Sequence, residues 1–347
     1  MEPELDVLVY SGTSSGSVVS AQTKRRKPSG SEVLVAITHS GLCGTDLHYK
    51  TSGIALGHEG VGVVSAVGDG VKNLKVQVLS PTYSHDGDRV GWGYCHGSCG
   101  TCTDCLRGQE LYCNHRQIYG SHNTDQGSFA SAAVWDEAFL YKIPPTLSSV
   151  AAAPLMCAGA AVYSALHHAQ VRPATRVGVL GVGGLGHLAI RFAAKMGCDV
   201  VVLSHTAGKQ AEAAAYGASE FHVLDGDDGL AQLDRPIDCL FVTASRQPEW
   251  ARVLPLVRRG GTVSLMTVDP EAELRVPYMD VLMNALRIEG SLPAPRHLHR
   301  EMLRFAALHG IEPVTEVFPL EREGIERAFE RLEKGEMRYR GVLVQAG

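Results

Sequence analysis

A short apolar strand that runs directly into a glycine-rich turn and then into a helix most constrains the fold of this chain. The strand covers residues 176–180, the turn 181–186 and the helix 185–196. In such a turn the first glycine permits a tight bend, the middle glycines let the backbone approach a pyrophosphate, and the last lets the helix pack on the strand. An ordinary strand-to-helix turn is the alternative. The predicted dinucleotide contacts are Gly181, Gly183, Gly184, Leu185 and Gly186.

The sequence has two regions with different residue patterns. Up to about residue 150, short β-branched runs such as 32–37 and 60–67 lie between glycine turns and predict a β-rich region. From Ala151 onward, helical stretches alternate with apolar strands, which is typical of a parallel sheet with crossover helices. We expect the tail from about Ser291 to return to the first region. The further predicted elements are helices over 158–168, 300–309 and 324–334 and strands over 199–203, 238–243, 262–268 and 341–344.

Composition limits the classes of partner. The 347 residues, 45% hydrophobic and 20% charged, suffice for two domains. A formal charge of -5 gives no reason to expect nucleic acid or an anionic membrane and favours a small neutral substrate. The N-terminal stretch lacks a secretion-signal pattern and no later apolar run approaches membrane-spanning length, so we expect a soluble cytoplasmic protein. We interpret the basic run 24–27 as a solvated loop.

The end of the second strand of the parallel sheet bears on the choice of nicotinamide cofactor. An acidic side chain there would bind the ribose 2′-hydroxyl and repel a 2′-phosphate. This chain instead has two hydroxyl side chains, Ser204 and Thr206, followed by the cation Lys209. These three residues could hold a phosphate, so the sequence predicts NADP(H) in preference to NAD(H).

Five of the nine cysteines lie between Cys95 and Cys113. Without a secretion signal, metal binding explains them better than disulfides. An iron–sulfur cluster is the alternative metal group, but in bacterial ferredoxins the fourth cysteine follows sooner and precedes proline, whereas Cys113 precedes Asn114. A closed tetrahedral zinc site is therefore predicted, with Cys95 as a competing ligand. The predicted ligands of this structural zinc are Cys99, Cys102, Cys105 and Cys113.

Three further candidate ligands are spread along the chain. They are Cys43, His58 and Cys157. Two thiolates and one imidazole would make a three-ligand zinc site with a vacant corner, as a catalytic zinc requires. Taken singly, each has another explanation, because buried cysteines are common small hydrophobes and His58 could be a core histidine.

Together these motifs resemble those of the zinc-containing medium-chain alcohol dehydrogenases, most closely the cinnamyl alcohol dehydrogenase-like branch, over nearly the whole chain. The resemblance implies an α/β protein with a GroES-like β-rich catalytic domain over 1–157 and 292–347 and a Rossmann doubly wound parallel-sheet domain over 158–291. It also favours a homodimer. The motifs that carry the resemblance are Cys43-Gly-Thr-Asp-Leu-His48, Gly57-His-Glu-Gly60, Gly87-Asp-Arg-Val-Gly91, the loop from Cys99 to Cys113, Ala153-Pro-Leu-Met-Cys-Ala-Gly159, the turn from Gly181 to Gly186, and Met337-Arg-Tyr-Arg340.

The resemblance also implies roles for single residues. Cys43, His58 and Cys157 would hold a catalytic zinc, and the four-cysteine loop would hold a second, structural zinc. The implied reaction moves hydride between NADP(H) and an alcohol/aldehyde pair. The implied roles of the other residues are Asp46 as hydrogen-bond partner of His58, Glu59 behind the metal as a transient ligand, Thr45 and His48 as successive members of a proton path to solvent, and Arg340 near the cofactor pyrophosphate.

This chain departs from the family pattern at three places. Residues Gln77 to Asp86 intervene before the Gly87-Asp-Arg-Val motif, and we expect them to lengthen a surface loop rather than to disturb the catalytic domain. The stretch between Cys43 and His58 is shorter than in many relatives. Ala161 replaces a threonine that is common near the nicotinamide. The last two changes leave the substrate open.

Three other functions compete with this one. A conjugate reductase on the same scaffold would reduce an activated carbon–carbon double bond or an iminium, but such members often lack zinc ligands or the proton path. A non-catalytic zinc-ribbon module for nucleic acid is disfavoured by the negative net charge and the large dinucleotide domain. A silent homologue is disfavoured by the complete ligand set.

Overall fold

The computed structural model describes residues 4–79, 84–224 and 233–346, and at 77–79 and 84–86 it describes the backbone alone. Two compact units are present: residues 1–160 together with 293–347, and residues 161–292. The sequence-based domain boundaries, at 157/158 and 291/292, lie within a few residues of these.

The strands, in chain order, are β1 Glu4–Gly12, β2 Val18–Arg26, β3 Glu32–Leu42, β4 Glu59–Val67, β5 Gln77–Leu79, β6 Ser84–Asp86, β7 Arg89–Trp92, β8 Cys95–Gly97, β9 Gln117–Ile118, β10 Ala132–Asp136, β11 Tyr141–Lys142, β12 Arg176–Leu180, β13 Asp199–Ser204, β14 Glu220–Val223, β15 Ile237–Val242, β16 Val257–Leu265, β17 Arg287–Gly290, β18 Thr315–Pro319 and β19 Arg340–Val344. The α-helices are α1 Gly44–Tyr49, α2 Thr103–Leu106, α3 Ser149–Pro154, α4 Ala160–His168, α5 Gly186–Lys195, α6 Gln210–Tyr216, α7 Trp250–Val253, α8 Tyr278–Met283, α9 Arg296–His309 and α10 Arg322–Glu333.

The first unit is built on a seven-stranded sheet in the order β11-β7-β4-β3-β19-β18, with β10 also paired to β3. Apolar side chains from β3, β4 and β7, among them Val35, Val64 and Trp92, form its core. The C-terminal strand β19 pairs antiparallel with β3, so that Gly341 lies beside Leu42. The tail therefore returns to the first unit, as the sequence predicts.

The basic run 24–27 forms part of a strand, so its interpretation as a loop was wrong. Strand β2 pairs with β1 along its whole length. Each basic side chain within the strand has an acidic partner: Lys24 with Glu4, Arg25 with Asp125 and Arg26 with Glu32. These exposed pairs neutralise the run, because the strand places its cations next to carboxylates.

The second unit is a six-stranded sheet in the order β14-β13-β12-β15-β16-β17, and all of its strand pairs are parallel. Counted from β12, this is the order 3-2-1-4-5-6 of a doubly wound dinucleotide-binding fold. The prediction of this fold is confirmed. The strand order reverses between β12 and β15, and the glycine turn follows β12 at that point.

One helical run is long and apolar enough to cross a membrane by length and composition alone. It is the 20-residue run Ser149–His168, so the expectation that no run approaches that length was wrong. Because 78% of its most apolar window is buried inside the protein, the run also has the character of a core helix, and it is weak evidence for a membrane.

Candidate functional site

Three predicted ligands of the catalytic zinc, together with Glu59, bring their ligand atoms within 4.8 Å of one another. Cys43 follows β3, and His58 immediately precedes β4. The two strands pair antiparallel with Gly41 opposite Glu59, which draws both residues to the same end of the sheet. Cys157 comes from a distant part of the first unit. All of these residues are largely buried, so solvent competes little with a ligand there.

Cys157 lies in a π-helical turn, Leu155–Gly159, between α3 and α4. The turn follows Pro154, which cannot donate the backbone hydrogen bond that a regular helix requires. Within the turn, the amide of Ala160 donates to the carbonyl of Leu155, five residues earlier, and to that of Cys157. Wide turns of this kind are frequent at functional sites. Here the turn carries the thiol.

The ring of His58 is oriented by Asp46. The distance between His58 Nδ1 and Asp46 Oδ1 is 2.9 Å, and both side chains are fully buried. A carboxylate can only accept in this bond, so Nδ1 carries a proton and Nε2 is the ring nitrogen left to face a metal. Nε2 is 3.3 Å from Cys43 Sγ, within the ligand group. Asp46 also accepts from the Cys43 amide at 3.0 Å, which ties it to the start of α1.

Electrostatics favour a thiolate at Cys43. A hydrogen bond from the Cys157 thiol, which outweighs the opposing effect of burial, and the neighbouring His58 lower the pKa of Cys43 well below its usual value. The amide of Thr45 donates to Cys43 Sγ at 3.3 Å. The same thiol pair raises the pKa of Cys157. Two thiols, of which one ionises readily, and one imidazole form a donor set that fits zinc.

Glu59 is buried behind this group and forms an ion pair with Arg340. Burial raises the pKa of Glu59 to about 8, although Arg340 opposes the shift. Its second oxygen, Oε2, has no hydrogen-bond partner among the described residues. A side chain at Gly41 would clash with this oxygen, which accounts for the glycine. The structure places the Arg340 guanidinium on Glu59, and its contact with a cofactor pyrophosphate stays a prediction.

The two residues of the predicted proton path lie on one short helix. Thr45 and His48 are three positions apart in α1 and therefore share a face of it. Thr45 is partly buried and His48 is exposed. This order from interior to surface is the one that a path to solvent needs.

The four cysteines of the second predicted zinc site also converge, with all sulfurs within 4.8 Å of one another. Cys113 Sγ lies 3.5 Å and Cys105 Sγ 3.9 Å from Cys99 Sγ. The loop that carries them is closed at its base by the pairing of β8 with β9. Hydrogen bonds from the backbone at Thr101 and Cys102 lower the pKa of Cys99 to about 6. Cys99 therefore favours the thiolate form.

Cys95, the competing ligand, lies outside this group. It is buried, and its thiol is directed toward the Gly97 carbonyl at 3.7 Å. Burial raises the pKa of Cys95 to about 11, so it stays a neutral thiol. All nine cysteines are free thiols.

The glycine turn has the geometry expected of a dinucleotide site. Gly181 adopts a φ of +92°, and a side chain there would lie 2.8 Å from the Ala244 backbone. At Gly186, the first residue of α5, a side chain would clash with the Gly181 carbonyl. Gly183 by contrast faces open space, with no described atom within 4 Å of the position that a Cβ would occupy. Its backbone is therefore free to approach a ligand. Gly184 and Leu185 complete the turn before α5.

The three predicted phosphate contacts lie around the carboxyl end of β13. Ser204 is the last residue of the strand, and its hydroxyl oxygen accepts from the Thr206 amide at 3.4 Å. Lys209 Nζ donates to the carbonyl of Val182 at 2.6 Å, which brings its charge to the glycine turn. The cation and the turn thus lie together within the second unit.

Sequence reasoning missed two tyrosines beside the candidate metal centre. Tyr119 stacks on His58 with a centroid separation of 4.8 Å, and Tyr94 packs edge-on against the same ring at 5.9 Å. Each adjoins a glycine in an irregular segment: Tyr94 follows Gly93, and Tyr119 precedes Gly120. An aromatic residue beside a glycine is a weak signal, which explains why the pattern alone did not single them out.

Family models match both halves of the chain. The model described as the alcohol dehydrogenase GroES-like domain matches residues 29–145, and the model described as zinc-binding dehydrogenase matches residues 184–307. The first match lies in the unit that holds both metal-ligand groups. The predicted GroES-like domain is thereby confirmed.

Whole-chain relatives agree with the family models. An alcohol dehydrogenase of Geobacillus stearothermophilus is 35% identical over 93% of this chain and 94% of its own length. An NADP-dependent alcohol dehydrogenase C of Mycolicibacterium smegmatis is 32% identical over 97% of both chains. A cinnamyl alcohol dehydrogenase structure from Sorghum bicolor superposes with a TM-score of 0.87 at 31% identity, covering 98% of this chain and 97% of that one. With two domain matches and relatives of full length, the chain belongs to the zinc-binding alcohol dehydrogenase family.

Proposed function

We propose that this protein is a zinc-dependent oxidoreductase that transfers hydride between NADP(H) and an alcohol/aldehyde pair. The observation that carries the proposal is the buried group of Cys43, His58 and Cys157, with ligand atoms within 4.8 Å of one another. A zinc ion held there would polarise the substrate oxygen, and a bound reduced nicotinamide would supply the hydride. The four-cysteine loop would hold a second zinc with a structural role, because four thiols leave no open position for a substrate.

The residues around the site have separate tasks in this reaction. Asp46 holds His58 with Nε2 toward the thiols, as the 2.9 Å contact at Nδ1 supports. Thr45 passes a proton to or from the substrate oxygen, and His48, on the same face of α1, connects the path to solvent. Glu59 offers a carboxylate oxygen that has no other partner among the described residues. Burial of Asp46, His58 and Glu59 excludes water from this side of the site.

Loss of a single ligand tests the zinc mechanism. Cys43→Ser and His58→Ala should each abolish turnover and lower the zinc content from two ions to one, with the dinucleotide still bound. Cys95→Ser is the matched control, because Cys95 is also a buried thiol of the first unit but lies outside both groups. It should keep both ions. Turnover retained in either ligand variant would contradict the mechanism.

The cofactor preference rests on Ser204, Thr206 and Lys209. The cation of Lys209 next to the glycine turn supports binding of a 2′-phosphate, and one relative is named as NADP-dependent. Lys209→Ala should raise the Michaelis constant for NADPH and leave that for NADH nearly unchanged. Lys195→Ala, at the exposed end of α5, should change neither. A lower Michaelis constant for NADH in the unaltered protein would overturn the preference.

The substrate assay also separates this function from a conjugate reductase. With an enal and NADPH, carbonyl reduction yields an allylic alcohol, whereas conjugate reduction yields a saturated aldehyde. The intact ligands and the Thr45–His48 pair support the first product.

We also propose that the chain forms a homodimer through the edge of the parallel sheet. Strand β17 is the last strand of the described sheet, and α8 just before it exposes Tyr278, Met279, Leu282 and Met283. In an antiparallel pairing of β17 with itself about Ile288, Arg287 of one copy lies opposite Glu289 of the other.

A charge swap tests this interface by sedimentation velocity. Glu289→Arg and Arg287→Glu should each give monomers, because like charges then face one another. The double variant Arg287→Glu/Glu289→Arg should restore the dimer. A monomeric unaltered protein, or single variants that remain dimeric, would contradict the interface.

A further inference from the structure

Tyr119 lies where the base of the four-cysteine loop meets the candidate catalytic group. It follows β9, whose pairing with β8 closes that loop, and its amide donates to the Tyr94 carbonyl at 2.9 Å. The next residue, Gly120, has a φ of +87° and turns the chain away. Only 5% of Tyr119 is exposed. Its side chain is therefore held inside the first unit by the backbone on both sides.

Two contacts connect this side chain to His58 and the residue before it. The ring stacks on the His58 imidazole, with centroids 4.8 Å apart and an angle of 27° between the planes. The hydroxyl oxygen accepts from the Gly57 amide at 3.1 Å. The imidazole that this ring covers is itself held by Asp46, at 2.9 Å from Nδ1. One side chain thus contacts both the ring that Asp46 orients and the residue that precedes that ring.

The backbone conformation at Gly57 explains why a glycine precedes His58. It has a φ of +90°, and a side chain there would clash with Ser128 and Phe129. The backbone in front of His58 must therefore be glycine, and Tyr119 supplies the hydrogen-bond partner of its amide. Without the hydroxyl, the buried Gly57 amide loses its partner, which costs free energy next to the residue whose ring must be placed.

We propose that Tyr119 is a positioning residue whose hydroxyl holds the Gly57–His58 backbone in the geometry that binds zinc. This inference rests on the proposed function, since it assumes that Cys43, His58 and Cys157 hold the metal. Groups that orient metal ligands in this way typically contribute about 10- to 100-fold to metal affinity. A tyrosine that only fills space would contribute through its ring alone, and phenylalanine would then replace it fully.

The test is Tyr119→Phe, which keeps the ring and removes the hydroxyl. Zinc affinity is measured by competition with a chromophoric chelator on protein prepared with both ions. The weaker of the two sites should lose about 10-fold or more in affinity, while the four-cysteine site stays loaded. Tyr141→Phe is the matched control, because Tyr141 is 3% exposed, lies in the same unit and also stacks on a histidine, His299, at 3.9 Å. It should leave both affinities unchanged.

The outcomes separate this inference from the proposed function. Unaltered protein that binds only one zinc would overturn the proposed function, and with it the premise. Two ions in the unaltered protein and an unchanged affinity in Tyr119→Phe would overturn the role of Tyr119 alone. If Tyr119→Phe does not fold, hydrogen exchange of the Gly57 amide in the unaltered protein decides: slow exchange supports the hydroxyl contact, and exchange at the rate of an open loop contradicts it.

Discussion

At the scale of single residues, the glycines of the dinucleotide turn meet different physical requirements. Gly186 is needed because the first turn of α5 packs on the Gly181 carbonyl, so no side chain fits between them. Gly183 has open space around it, and its small size matters only when a ligand approaches. The same residue type therefore supports folding at one position and binding at another.

Alanine substitutions should separate these two requirements. Gly186→Ala should destabilise the protein by about 3 kcal/mol or more, because helix and strand must move apart. Gly183→Ala should change stability by less than about 0.5 kcal/mol and weaken NADPH binding about 10-fold, because the pyrophosphate loses a close backbone amide. Thermal unfolding and fluorescence titration measure the two effects. Equal stability of both variants would contradict the assignment.

The buried pair of Glu59 and Arg340 should also respond strongly to a single change. Arg340→Met leaves the Glu59 carboxyl buried without its cation and should cost about 3 kcal/mol of unfolding free energy. Glu59→Gln/Arg340→Met should recover part of that loss, since no charge is then stranded. Arg322→Met, which breaks an exposed pair with Glu326 in the same unit, should cost less than about 1 kcal/mol. Urea denaturation of metal-free protein provides the comparison.

At the scale of elements, the described ends of the extra segment Gln77 to Asp86 are two short strands, β5 and β6, which pair antiparallel with one another. Its base is closed from both sides: the Asp88 amide donates to the Lys75 carbonyl at 2.9 Å, and the Lys75 amide donates to the Asp88 carboxylate at 2.7 Å. Beyond this base, β7 pairs with β4 in the main sheet. Within the described backbone, β5 and β6 pair with one another and leave the sheet register intact.

Deletion of residues 77–86 should therefore be tolerated. Joining Val76 to Gly87 turns the bond from the Asp88 amide to the Lys75 carbonyl into the closing bond of a four-residue β-turn. Gly87, with a φ of +68°, already has the conformation that the third position of a type II turn requires. The melting temperature should change by no more than about 4 °C, and both zinc ions should stay bound. Loss of zinc from the four-cysteine loop would mean that the segment supports that loop.

Sequence patterns predicted elements well where periodicity was strong. Strand β12 has the predicted bounds, and α5 differs by one residue at each end, because apolar runs and glycines mark both clearly. The strand β2 was not predicted, since its exposed face is charged and lacks apolar alternation. The π-turn was not predicted either, because proline followed by helix-forming residues does not distinguish a wide turn from an ordinary break. Tertiary contacts decide both cases.

At the scale of the whole molecule, two buried histidines make stability depend on pH. His299 stacks on Tyr141, His96 packs on Trp135, and Nε2 of each lacks a hydrogen-bond partner among the described residues. Burial lowers the pKa of His299 to about 3 and that of His96 to about 4. The unfolded chain binds protons at these histidines below about pH 6.5, whereas the folded chain does not. Each histidine therefore makes its full contribution to the free energy of unfolding above that pH. The contribution decreases as the pH falls toward the pKa of that histidine in the folded chain.

The expected loss is about 1 kcal/mol per pH unit for each histidine between pH 6 and 5. His299→Phe keeps the ring stack and should reduce the slope by about that amount. His297→Gln, on the exposed side of the same helix α9, should leave the slope unchanged. Urea midpoints at several pH values measure all three proteins. An unaltered slope in His299→Phe would contradict this origin of acid sensitivity.

The candidate site could be predicted where sequence motifs specify its chemistry. Cys43, His58 and Cys157 were identified because a resemblance joined three residues that no local pattern relates. Tyr119 could not be found in this way, since its role arises from where β9 ends and not from its own type. The pairing of Arg340 with Glu59 likewise depends on the return of β19 to the sheet, a long-range contact that local sequence does not encode.

The π-turn Leu155–Gly159 makes the position of the proposed metal ligand Cys157 depend on the number of residues before it. Successive side chains on an α-helix are about 100° apart. Removing Met156 would therefore rotate the Cys157 sulfur around the helix axis, although the sequence would still contain every proposed ligand. A homologous sequence can thus contain the correct amino acids and lack the donor geometry. The spacing from Pro154 to Cys157 is as much a part of the binding signature as the cysteine itself.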